Sequence, residues 1–179
     1  VLGVSVGDDV SVASLAKALE GRVIDVLINN AGTSGPARDQ QTTFAMDFEG
    51  WADAFNINSM APVRVMQALL PNLKLSSAAK VMTVTSQMGA LSLDMPAAHA
   101  YCATKAAVNK FMRLAALDLK KENIAVGLVH PGWVKTDMGG PHAELTPEES
   151  AAGCALVTDS LSMDSTGGFW KWNGDVHGW

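Results

Sequence analysis

Cysteine occurs only twice in 179 residues, at Cys102 and Cys154. That excludes the disulfide density of a small secreted scaffold and the paired spacing of a zinc knuckle. Two buried, reduced thiols in a reducing compartment are expected, and with them a cytoplasmic location. Positive charge is scarce as well: 13 Lys and Arg against 18 Asp and Glu leave a net charge of −5, with no basic block. A surface that tracks phosphates needs clustered cations, so nucleic acid is not an expected partner. The four histidines, His99, His130, His142 and His177, have no i, i+4 partner and no neighbouring cysteine pair, so no metal site is expected. No apolar run approaches the roughly 18 to 20 residues that cross a bilayer. The opening Val1, Leu2, Gly3, Val4 has neither an initiator Met nor a signal-peptide pattern, and it reads as the interior of a strand whose true beginning is missing.

What remains is apolar enough to fold. With 48% hydrophobic and 17% charged residues, the chain can bury a sizeable core, and no linker, repeat or low-complexity segment divides it. A single domain over 1–179 with a small-molecule partner is the expectation.

Helical and strand-like patterns alternate along the chain. Asp8 and Asp9 precede an i, i+3, i+4, i+7 stripe of Val12, Leu15, Ala16 and Leu19, and Gly21 supplies a stop. Residues 23–30 form a nearly continuous β-branched run, which predicts a central strand buried on both faces. Met60, Val63, Met66 and Leu70 give helical periodicity over 51–73, ended or kinked at Pro71. Residues 81–85 are strand-like and lead to Ser86. The spacing of Ala103, Ala107, Phe111, Leu114, Ala115 and Leu119 predicts a long helix over 99–121, followed by a strand over 124–129. Thr146, Pro147, Glu148 and Glu149 form a helix-start signal, and a short strand over 168–172 closes the pattern. Strand-then-helix units of this length imply a parallel sheet covered by helices.

Tyr101 and Lys105 lie four apart on the long helix, one turn from each other on the same face. A phenol beside an ammonium is a plausible proton donor, since a nearby cation favours phenolate and lowers the phenol's pKa. The pair alone is weak, because Tyr and Lys fall four apart by chance in many helices. Three other features occur with it in order: Asn29, Asn30, Ala31 and Gly32 after one strand, Ser86 after the next, and Pro131 and Gly132 after the strand beyond the helix. In an open parallel sheet, ligands bind at the carboxyl ends of strands, and all four features fall there.

These motifs resemble the short-chain dehydrogenase/reductase family over essentially the whole chain. Within it, residues 25–32, the phrase from His130 to Gly140 and the tail from Gly168 to Trp179 resemble the C-factor-like and sniffer-like carbonyl reductases. The fold implied is α/β, a Rossmann-like parallel sheet with helices on both faces. The activity implied is hydride transfer between a nicotinamide cofactor and a carbonyl or secondary alcohol. By this resemblance Tyr101 is the general acid or base, and Lys105 lowers its pKa and binds the nicotinamide ribose. Ser86 hydrogen-bonds the substrate carbonyl. Asn58, preferred to Asn56 on the sequence that follows it, holds a helix kink and a water relay to Lys105. Asn30, Ala31 and Gly32 meet the adenosine ribose side of the dinucleotide, while Pro131, Gly132, Val134 and Thr136 hold the nicotinamide carboxamide. Gln87, Met88, Trp133 and Met138 line the substrate pocket, and residues 137–150 form a mobile lid. The resemblance also implies a homodimer or homotetramer.

The family's glycine-rich Thr-Gly-x-x-x-Gly-x-Gly turn has no match here, so the first two strands and the phosphate loop are expected to be missing, which leaves the strand ending at Asn30 without its neighbour and an apolar edge exposed. Ser5 stands where the family carries an acidic residue against adenine. Cofactor choice between NADP and NAD is set mostly by that missing segment, and the subgroup likeness tilts it toward NADP. Two readings follow: an NAD(P)-dependent reductase, or a truncated, non-catalytic product or incomplete gene model acting by association through the 58–70 and 99–119 helix faces.

Overall fold

In the computed structural model, which describes residues 3–94 and 98–179, the chain builds a four-stranded parallel sheet. Its strands are β1 (Val26–Asn29), β2 (Lys80–Val84), β3 (Ala125–His130) and β4 (Phe169–Lys171), side by side in chain order. Val26 lies opposite Lys80, Val81 opposite Val126, and Leu128 opposite Phe169. Parallel neighbours need crossovers, and each crossover carries helix. Helices α2 (Phe48–Phe55), α3 (Ala61–Ala68) and α4 (Leu70–Leu73) join β1 to β2, α5 (His99–Leu119) joins β2 to β3, and α6 (Pro147–Ser160) joins β3 to β4. Helix α1 (Asp9–Ala18) precedes β1.

The two-residue period of the strands sorts the core into two layers. Val81, Val126, Leu128 and Phe169 pack with Val108, Met112 and Ala116 of α5. Met82, Ala125 and Val129 pack on the other face with Val157 of α6 and Leu161. Helices therefore cover both faces. Gly127 sits in the second layer, where an added Cβ would come within 3.0 Å of Met82 and 3.1 Å of both Leu161 and Trp170. Even a methyl there would require Met82, Leu161 and Trp170 to give by a few tenths of an ångström.

Local signals end the helices where the sequence places them. The Asp8 carboxylate accepts from the amides of Val10 and Ser11, and Gly21 follows α1 at φ +72°. Thr146 and Glu149 form a complete capping box, with Glu149 N–H on Thr146 Oγ1 at 3.2 Å and Thr146 N–H on Glu149 Oε2 at 2.8 Å.

Several expectations need correction. Residues 1–2 lie outside the described residues, and 3–6 form no strand. That segment is held by Arg64 instead, which pairs with Asp9 and donates to Val6 O and Asn56 Oδ1. The strand whose apolar run reads as buried on both faces stands at the sheet edge with Val26 43% and Ile28 51% exposed, as expected of this segment without its first two strands. The 51–73 helix is interrupted by a π turn over Asn56–Met60 and breaks again at Leu69, beside Pro71. The stretch read as a lid is partly helix, since α6 begins at Pro147, and Val134 bridges Leu145. Cys102 and Cys154 are half-buried, not buried. Among the described residues no helix is long and apolar enough to cross a membrane.

Candidate active site

Three side chains converge where β2 meets α5. Ser86 follows β2 and caps a short 3-10 turn over Gln87–Gly89, its hydroxyl accepting from Met88 N–H at 3.1 Å. Gly89 lets that turn lie against α5, since a Cβ there would fall 2.7 Å from the Lys105 carbonyl carbon. Asn109, one turn beyond Lys105, clamps the junction by bonding Thr85 Oγ1 at 2.5 Å and Gly89 O at 3.3 Å. This arrangement brings the Ser86 hydroxyl close enough to the Tyr101 phenol to lower its pKa, with Lys105 Nζ 5.8 Å from the Tyr101 ring centroid. The Lys105 ammonium is almost wholly buried and donates to Val84 O at 3.1 Å.

Asn58 closes the other side. A π turn fits one surplus residue into the helix and re-aims its neighbours. Pro62, four residues on, has no N–H to give the Asn58 carbonyl, which favours such a break. The Asn58 amide accepts from Thr33 N–H at 2.8 Å and donates to Thr33 O at 2.8 Å and Thr104 Oγ1 at 3.0 Å. Ser59 adds a bond to Thr104 O at 2.7 Å. The two asparagines weighed from sequence thus serve different neighbours: Asn56 bonds Gly7 O and Arg64, while Asn58 reaches the loop after Gly32 and the face of α5 that carries Lys105.

The electrostatics differ from expectation. Burial raises the Tyr101 pKa above 10.0, the bond to Ser86 lowers it in part, and the Cys102 thiol raises it. Burial also lowers Lys105 from 10.5 to about 8. Burial thus outweighs any downward pull on the phenol, since desolvation disfavours both charged forms.

Asn30, Ala31 and Gly32 lie exposed just beyond β1. An added Cβ on Gly32 would stand 3.4 Å from Asn58 Oδ1 and 3.6 Å from Lys105 Nζ, so a bare backbone edge faces the buried ammonium. Pro131 and Gly132 follow β3; Gly132 has φ +83°, and a Cβ there would run into Leu145 and Trp172. Ser150 of α6 fixes this turn by donating to Pro131 O at 2.7 Å. Val134 is half-buried and Thr136 exposed on the next loop, where Thr136 N–H donates to Val134 O at 2.8 Å. Gln87 and Met88 are half-buried in the turn after Ser86. Trp133 and Met138 stand on the loop after β3, 49% and 51% exposed, with the indole N–H on Gly139 O at 2.8 Å. Ser86, Tyr101, Lys105, Asn58 and Gly32 are therefore gathered at one place, and the Pro131 to Thr136 group comes from a neighbouring strand end. A ribose and a nicotinamide fit this donor set: buried Lys105 and Tyr101 beside a side-chain-free backbone edge.

Sequence reasoning missed Gly89, Asn109, Thr104 and Gln41. Asn109 and Thr104 were findable as polar residues on the inward stripe of a core helix, where a buried polar group needs a partner. Gln41 carries no comparable local signal.

A family model for short chain dehydrogenases matches residues 4–145. The chain is 40% identical over 157 residues to C-signal of Myxococcus xanthus, a match covering 87% of this chain and 93% of that protein. Carbonyl reductase Sniffer of D. melanogaster superposes with a TM-score of 0.91 at 26% identity, over 99% of this chain and 77% of that one. NADPH-bound carbonyl reductase from chicken fatty liver gives 0.87 at 29% identity, over 98% and 75%. With this match and a Rossmann-like sheet whose site gathers at the strand ends, the chain belongs to the short-chain dehydrogenase/reductase family and is by family an oxidoreductase.

Proposed function

We propose that the chain carries the catalytic residues of an NADP(H)-dependent carbonyl reductase, which also oxidises the matching secondary alcohol. The observation that supports this most directly is the Ser86 hydroxyl beside the Tyr101 phenol, with the buried Lys105 ammonium over the same ring. Lys105 and Tyr101 would hold the nicotinamide ribose, Pro131, Gly132, Val134 and Thr136 the carboxamide, and Asn30, Ala31 and Gly32 the adenosine side. When bound, the cofactor supplies the hydride.

The protein's own part is to orient the carbonyl and deliver a proton. Ser86 Oγ donates to the substrate oxygen and favours the negative charge that builds there. Tyr101 gives its proton to that oxygen, and its raised pKa keeps it in the donating form throughout the neutral range. The Lys105 ammonium stabilises the phenolate left behind. Asn58 holds the 33–37 loop and Thr104 in place beside this group. Gln87, Met88, Trp133 and Met138 would bound the substrate. The carbonyl-reductase neighbours support this reading over a non-catalytic product that acts by association.

Homodimerisation fits as a companion proposal. A cleft of about 730 Å³ between α1, α3 and α5, lined by Val12, Phe55, Met60, Val63 and Phe111, opens onto the surface.

The test is Tyr101→Phe in the full-length protein, assayed with NADPH against a panel of small aldehydes and ketones. Turnover should fall about 10²- to 10⁴-fold with the fold intact by circular dichroism. Undiminished turnover would sink the assignment.

A further inference from the structure

Helix α5 has no cap of its own. Ala98 occupies the capping position at φ 54° and ψ 51°, a left-handed conformation. Side-chain caps act from extended backbone, reaching the second or third helical amide. The third helical residue here is Tyr101, and its N–H donates to the side-chain oxygen of Gln41 at 3.2 Å, across 60 positions of sequence. The His99 N–H donates to the Gln41 backbone carbonyl at 3.2 Å.

The rest of the Gln41 side chain is committed elsewhere. Nε2 donates to Pro36 O at 2.6 Å and to Ser34 O at 3.2 Å. The residue is 1% exposed, among the most buried side chains described. Burying an amide so deeply is unfavourable unless its groups are bonded, and here both ends are. One side chain therefore joins the loop after Gly32 to the first turn of α5.

Resting on the reading of Tyr101 as the proton donor, we propose that Gln41 is a positioning residue for the reaction. It takes the place of the missing helix cap and fixes the backbone from which the Tyr101 ring reaches Ser86. It also ties that backbone to the 33–37 loop, so the phenol and the neighbouring backbone edge keep a constant spacing. An amide meets all three contacts, an acceptor for one N–H and a donor for two carbonyls, and the acceptor, which holds the Tyr101 N–H, is the one the reaction depends on.

The experiment uses the full-length protein, NADPH and the same carbonyl panel. Gln41→Met keeps the volume and removes all three side-chain bonds. It should lower kcat at least about tenfold with KM values little changed, because misplacing a reacting group acts on the chemical step. The Tyr101 amide should exchange with deuterium about tenfold faster. Gln41→Glu keeps the acceptor and loses the donors, so amide protection and most of kcat should return while thermal stability falls.

An unchanged kcat in Gln41→Met despite faster exchange would reduce Gln41 to scaffolding and overturn the proposal. A Gln41→Glu protein with a protected Tyr101 amide and a kcat reduced tenfold would overturn it too, and this decides the matter if Gln41→Met fails to fold. Retained turnover in Tyr101→Phe would instead bring down the underlying assignment, leaving the exchange result standing.

Discussion

At the scale of single residues, burial governs the charges. The chain has one tyrosine, so ultraviolet titration of the phenol reports Tyr101 alone. In cofactor-free protein its midpoint should lie above 10, the direction set by burial; a midpoint below 10 would show that Lys105 dominates after all. His130 gives a second test. It is buried at the end of β3, edge-on to His177 at 6.0 Å between ring centroids, and its pKa is lowered to about 4 by burial, then by His177 and Lys171. The folded state holds the neutral ring, so the unfolded chain binds more protons between pH 6.5 and about 4. Stability should therefore be fully present above 6.5 and lost as pH falls through that window, by up to about 3 kcal/mol. Thermal melts of His130→Phe should show a flatter acid limb than the parent.

At the scale of elements, caps that lie within a few residues were legible from sequence. Thr146→Ala should remove about 1 kcal/mol from the stability of α6, measured as a lower urea midpoint at unchanged slope. The long helix, the two inner strands and the alternation that implies a parallel sheet were legible for the same reason, since their periodicity is local. The interruption over Asn56–Met60 left composition and apolar spacing nearly unchanged, and was anticipated only through the resemblance, which gave Asn58 a helix kink. Pro62 was its one local trace. The tie between Gln41 and Tyr101 was hidden more deeply, as two residues far apart in the chain share no pattern. Asn58, Ser86, Tyr101 and Lys105 were named from sequence because the motif phrases around them are distinctive; their convergence needed the packing of Gly89 against α5.

At the scale of the whole molecule, β1 stands at an open edge, as expected of a segment without its first two strands. Its β-branched residues suit a strand covered on both faces, yet Val26 and Ile28 are 43% and 51% exposed along that edge. An open apolar edge invites pairing with other chains. The sequence also has no glycine-rich phosphate turn, so isothermal titration of residues 1–179 with NADPH should give weak binding. Tight binding by these residues would refute the expectation. Ile28→Lys should lower light scattering of the same chain without lowering its melting temperature, since that side chain is half in water already.

The π turn has a consequence for how this protein tolerates change. It amounts to an insertion absorbed without a loop, and removing one codon there, at Ile57 for instance, would let the helix wind regularly from Phe48 onward. Because the π turn already takes up that extra residue, the elements before and after it would keep nearly their present facing, and the change would fall on the Asn56–Met60 side chains, Asn58 with its bonds to Thr33 and Thr104 among them. A deletion that looks trivial on the gene would therefore be felt at the site through Asn58, whereas exchanges of side chain on the helix's outer surface would pass unnoticed.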